Sequence, residues 1–310
     1  MTAPELQYRR MVRLLPRWYR AEREDEMVGA LLDARDGGRI EEGRELLAML
    51  GLGLRARLAA SSAPARVVAF GDTVRLVALL GLLWGVMKGV LAVGRDLSDA
   101  VTFPHLLGPF AATVMVHVAH RLWLDLALTA ATTVPLVLLF AGRRRAARMV
   151  AGAVLVAGFA AFLYRYSFSF SPDLLGYFVP QWLPLLLMVA GFHAGAPLPV
   201  ARKWWLALAA IAASALYFGS FVDSDLRGLS WYAWAAVLII PAYFAFRRRT
   251  PAWSFSLAAC CAFVLTQPIV LRATMAGAGF EPTELLQICV VGAGIVALVA
   301  TGIIDYRRRS

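Results

Sequence analysis

The residues able to do chemistry in this 310-residue chain are few, and most stand in apolar surroundings. Asp125 lies inside a long apolar run, with Arg121 four residues before it. Ionisable groups within lipid are costly, which makes each one a functional candidate. The Asp125 side chain is too short to reach the membrane surface. Residues four apart share a helix face, so Arg121 and Asp125 read either as a local ion pair or as part of a proton or cation site. Lys88, in another apolar run, completes the candidate polar set, although its long stem can snorkel to the interface. His117 and His120 form an H-x-x-H pair, and His105 lies upstream. A zinc site needs three or four ligands, which His105, His117 and His120 would have to supply with Asp125. An interfacial helix is the plainer reading of the same histidines. No H-E-x-x-H motif provides a general base, and no phosphate-binding loop, dinucleotide fingerprint or nucleophile elbow occurs. No catalytic residue and no cofactor are assigned. Cys260, Cys261 and Cys289 lie in apolar runs. Adjacent side chains on a helix point about 100° apart, so Cys260 and Cys261 are expected to be reduced rather than bridged.

The elements that must position these residues are membrane helices. Sixty percent of the chain is apolar, 16% is charged, and the mean hydropathy is +0.66. A soluble domain is nearer 45–50% apolar and about 25% charged. From Val67 onward, eight runs approach the ~20 residues that cross a bilayer: 76–94, 122–142, 149–166, 179–196, 204–222, 229–246, 252–271 and 283–304. The expected fold is therefore an all-α, polytopic membrane helix bundle with a small cytoplasmic N-terminal helical unit over 1–64. Residues 101–120 are nearly as apolar, but Pro104, Gly108 and Pro109 interrupt them. They are expected as an interfacial or re-entrant segment.

The net charge of +11 would point to nucleic acid on a soluble protein. Here it maps to topology. Arg143–Arg145 with Arg148, Arg202–Lys203, Arg247–Arg249 and Arg307–Arg309 fall on every second connection and the tail. Arginine and lysine concentrate on the cytoplasmic side of spans, which is expected to place both termini in the cytoplasm, and the enrichment in Arg over Lys, 29 against two, suggests the GC-rich genome of a bacterium and hence its cell membrane. No direct nucleic-acid partner is expected. The other connections carry acids, including Asp96, Asp99, Asp173 and Glu281. Gly81, Gly85 and Gly89 repeat every fourth residue in the first span, a spacing that lets helix backbones approach closely. That seam serves packing within the bundle or a homo-oligomer.

The N-terminal segment reads as amphipathic helices. Met11, Leu14, Leu15 and Trp18 recur at helical spacing among Arg9, Arg10, Arg13, Arg17 and Arg20. They are the candidate partner-binding face. Met27, Ala30, Leu31 and Ala34 mark a second helix, and Leu46, Leu47, Leu50 and Leu54 a third. Val67–Val77 would enter the membrane through the interface, with Asp72 and Arg75 outward. The run Tyr8-Arg9-Arg10, Leu14-Leu15-Pro16-Arg17-Trp18-Tyr19-Arg20, Glu26-Met27 and Leu31-Leu32-Asp33 resembles the start of actinobacterial membrane proteins with HAAS-like helical domains. The resemblance covers about the first 60 residues. It implies a signalling role beside a regulator of the PadR type, and it assigns no catalytic residue.

Three function classes follow. A membrane-embedded regulator would use the N-terminal helices to bind a cytoplasmic regulatory protein while the bundle anchors them in the lipid bilayer. A transporter or permease subunit would exploit spans that contain Pro135, Pro184, Pro241 and Pro268. An intramembrane enzyme on lipid-type substrates would need the His105, His117, His120 and Asp125 group. The separate charged unit favours the regulator.

Overall fold

The computed structural model describes residues 3–33, 47–53, 56–58, 65–106, 111–168, 173–193, 196, 251–274 and 282–308. Helices account for nearly all of them, and no strand occurs among the described residues. The labelled elements are α1 (Ala3–Val12), α2 (Arg17–Asp33), α3 (Ala65–Leu106), α4 (Ala111–Phe140), α5 (Arg144–Phe168), α6 (Asp173–Gly191), α7 (Pro251–Thr274) and α8 (Pro282–Arg307). A further short helical stretch covers 47–53. The expected spans 204–222 and 229–246 lie outside the described residues.

Three helical segments are long and apolar enough to cross a membrane: Val68–Val101, Val118–Phe140 and Ile288–Arg307. Shorter apolar helices run over Trp182–Gly191 and Pro251–Ala262. The 42 residues of α3 extend about 63 Å at 1.5 Å per residue, roughly twice the ~30 Å hydrocarbon core. This length corrects two expectations. Residues 101–120 do not form one separate segment: 101–106 finish α3 and 111–120 open α4. At the other end Arg75 is not outward. It is only 6% exposed, because α3 is already helical and packed there.

The bundle core joins four helices. Leu79, Leu82 and Val86 of α3 meet Leu136 and Leu139 of α4, Ala147 and Ala151 of α5, and Met188 of α6 in one buried cluster. Small residues on α5 let that helix approach closely. The turn from α4 to α5 has an identifiable stop. Gly142 has φ 77°, a left-handed conformation that glycine adopts without penalty. Its N–H donates to Leu139 O at 3.0 Å, and Arg143 N–H donates to Leu138 O at 2.9 Å. This pair of bonds is a Schellman cap, which satisfies carbonyls left open at the helix end. It sets Arg143 in the tight turn and Arg144 and Arg145 in the first turn of α5.

A buried polar contact ties α7 to α3. Ser256 Oγ, fully buried, donates to Ala252 O at 2.6 Å and approaches Thr73 O at 3.2 Å. Arg75 pairs with Asp72 one turn away. Gly191 on α6 leaves space beside it, since a Cβ there would meet Arg75 Cγ at 3.3 Å. The outermost described helix, α8, packs on α7 and exposes Val290, Val296, Ile303 and Ile304.

The N-terminal unit has a core of its own, built from Tyr8, Val12, Leu15, Val28 and Met49. Pro16 lacks an N–H and interrupts the helix. Its carbonyl then accepts from Tyr19 and Arg20, which starts α2. Arg9 bridges the helices, lying 3.5 Å from Glu5, 3.6 Å from Glu24 and 3.3 Å from Asp25.

Candidate functional site

The glycine repeat of α3 sets the geometry of the site. A Cβ at Gly85 would stand 3.0 Å from Thr132 Cγ2 of α4, and one at Gly89 would collide with Thr129. Both threonine hydroxyls bond back to their own helix. Thr129 Oγ1 donates to Asp125 O at 2.6 Å, and Thr132 Oγ1 to Thr129 O at 3.0 Å. Their polar atoms are thus satisfied internally, and the rest of each side chain packs against a bare backbone. The two helices run antiparallel through this close contact. One turn further along, the next small residue, Ala92, comes level with Asp125.

A cavity of about 330 Å³ opens there, lined by Ala92, Arg95 and Asp96 of α3 and by Arg121, Leu124 and Asp125 of α4. Asp96 is only 5% exposed, and its Oδ2 has no hydrogen-bond partner. Asp125 faces Asp96 across the same cavity, and Arg95 and Arg121 are the cationic groups whose charge it feels. Arg121 and Asp125 nevertheless form no ion pair at contact distance. Contact pairs do form elsewhere, at Arg9 and at Arg75. The local pair expected from the i,i+4 spacing is therefore not made, and both arginines stand exposed at the cavity mouth. Two carboxylates this close repel each other unless something positive stands between them.

Sequence reasoning found half of this site. Asp125 and Arg121 belong to it, and Arg95 and Asp96 do not stand out in a sequence whose first expected span ends at Gly94. The available signal was the lack of any break between Gly94 and Thr102, which keeps Asp96 in helical register with Gly89 and Ala92. Lys88 is exposed and is not part of the lining. The side chains of His105 and His117 lie outside the described residues, and His120 is exposed. Among the described residues no group of three His, Cys, Asp or Glu is gathered to hold a metal ion. His193, only 5% exposed, follows Gly191 and so belongs to the Arg75 end of the bundle. That end is about 30 Å along α3 from Asp96 at 1.5 Å per residue. Cys260, Cys261 and Cys289 are free thiols.

The candidate partner face does not stay together. Leu15 is 2% exposed and so is withdrawn from any outward surface, and Met11, half-buried, packs against the same core. Helical spacing marked them correctly as apolar-face residues, but the face points inward at α2 and 47–53. Leu14 is exposed, and its carbonyl accepts from Arg57 Nη2 at 3.1 Å. Trp18 is half-buried, edge-on to Tyr19 with ring centroids 5.5 Å apart. The apolar groups left outside are Leu6, Leu14, Leu47 and Leu50.

No family model, no curated protein and no solved structure matches the chain.

Proposed function

We propose that this chain is a regulatory component of a bacterial cytoplasmic membrane, with an eight-span bundle as its anchor and both termini in the cytoplasm. Its N-terminal helices bind a cytoplasmic protein. One observation carries this reading: the unit has a separate apolar core, yet Leu47 remains 70% exposed, with Leu50 one turn away on the same helix. Exposed leucines at that spacing form the kind of anchor that a helix or groove of a partner covers. The arginine distribution supports the orientation.

The test uses the full chain in its native membrane. A photo-reactive residue replacing Leu47 should cross-link one cytoplasmic protein that a probe at Val290 does not. The double change Leu47→Glu and Leu50→Glu should abolish that product and reproduce the transcriptional profile of a deletion strain. A phosphatase fused after Ser310 should stay inactive while a fluorescent protein fused there is bright. No product beyond the Val290 control, with an unchanged profile in the deletion strain, would refute the regulatory reading.

A further inference from the structure

The cavity between α3 and α4 combines features that packing alone does not require. Asp96 is nineteen-twentieths buried with an unpartnered oxygen, in a pocket whose other charged members come from both helices. A buried acceptor without a donor is destabilising, so a ligand that brings N–H groups gains from filling it. A metal ion fits poorly: two carboxylates give too few ligands, and Arg95 and Arg121 repel a bare cation. An ammonium group fits, because its three N–H donors can serve Asp96 and Asp125 together. The arginines at the mouth then lack an anion, and guanidinium groups recognise phosphate well.

We infer that this cavity binds a zwitterion carrying a primary ammonium and a phosphodiester or phosphate, the ammonium against Asp96 and Asp125 and the phosphate against Arg95 and Arg121. The charges balance as found, two acids against two bases. The volume, about 330 Å³, lies at the small end of ligand sites. The depth also agrees. The candidate span Val68–Val101 has 34 residues where ~20 suffice, so the end bearing Arg95 and Asp96 reaches the headgroup level. On the same stretches of α3 and α4, Leu97, Val101 and Trp123 are exposed, Trp123 by 72%. Such surface suits acyl chains, and tryptophan favours this depth. The chemistry is that of a phosphatidylethanolamine headgroup or of free phosphoethanolamine. The site goes beyond the regulatory reading and stands whether or not the N-terminal helices bind a protein.

The purified full chain in detergent would be titrated with phosphatidylethanolamine, phosphatidylcholine and phosphatidylglycerol, with native mass spectrometry reading bound lipid. Phosphatidylethanolamine should be retained at least fivefold more than the other two. Phosphatidylcholine offers no N–H, and phosphatidylglycerol no cation. Asp96→Asn and Arg121→Gln should each remove the preference, while Asp99→Asn, outside the cavity, should keep it. An unfolding midpoint measured without lipid verifies that each variant is folded. Free phosphoethanolamine at millimolar concentration separates the sources. If it raises the midpoint of the wild type and not of Asp96→Asn, the site takes the soluble zwitterion; if it has no effect, the lipid is the ligand. Equal retention of all three lipids with no response to phosphoethanolamine overturns the inference. So does a preference that survives Asp96→Asn.

Discussion

Replacing Gly81 with alanine should loosen the bundle, while the same change at Gly292 should not. A Cβ at position 81 would lie 2.6 Å from Pro184 Cγ and 2.8 Å from Pro184 Cβ. Carbon atoms pack best at about 3.5–4.0 Å, so the deficit is about 1 Å. The obstacle is a buried proline ring on α6, which cannot swing aside as a long side chain would. The helices must separate, and overpacking of this kind costs about 1–3 kcal/mol. Alanine repays about 1 kcal/mol through its better helix propensity, leaving a net loss of about 1 kcal/mol. At Gly292 a Cβ meets nothing within 4 Å, so only the gain of up to about 1 kcal/mol remains. The two variants should differ by about 2 kcal/mol, roughly thirtyfold in the folded-to-unfolded ratio. Reversible unfolding in mixed micelles of rising SDS fraction, followed by far-UV circular dichroism, measures this. Pro184→Ala combined with Gly81→Ala should recover part of the loss, because the double change removes the colliding atoms. Equal midpoints for Gly81→Ala and Gly292→Ala would refute the packing argument.

Three further outcomes follow from the same geometry. Gly142→Ala forces a Cβ into the left-handed cap of α4 and should cost about 1–2 kcal/mol, read from the same SDS titration. Leu15→Ala should cost about 2–5 kcal/mol within the N-terminal core and expose α1 and α2 to limited proteolysis with the bundle intact; Leu6→Ala, an exposed leucine, should leave the digestion pattern unchanged. Arg9→Met removes the group shared by Glu5, Glu24 and Asp25 and should speed cleavage in α2 severalfold at low salt. The difference from wild type should shrink at 0.5 M NaCl, as expected for screened surface pairs, whereas Arg10→Met should behave as wild type.

Much of the helical architecture was legible because lipid imposes it. A backbone in hydrocarbon must satisfy its own hydrogen bonds, so runs such as 122–142 and 283–304 read directly as helices and appear as α4 and α8 with ends shifted by a few residues or more. The helix ends were less legible. Arg95, Asp96 and Asp99 look like the polar exit of a span, but nothing in their local chemistry stops a helix, and α3 continues to Leu106. Burial was least legible of all. Leu14 and Leu15 are identical residues side by side, yet one is exposed and the other fully covered.

Composition and hydropathy by themselves determined the all-helical character, the apolar spans and the distinct charged N-terminal segment, because each depends only on transfer between water and lipid along the chain. Which helix faces which was decided by tertiary structure. Gly85 and Gly89 could have met any neighbour, and only their contact with Thr132 and Thr129 brings Asp96 of one helix to Asp125 of another. Residues 29 positions apart in sequence share a cavity because lateral packing depends on the shapes of two surfaces at once, and a linear pattern carries one surface at a time.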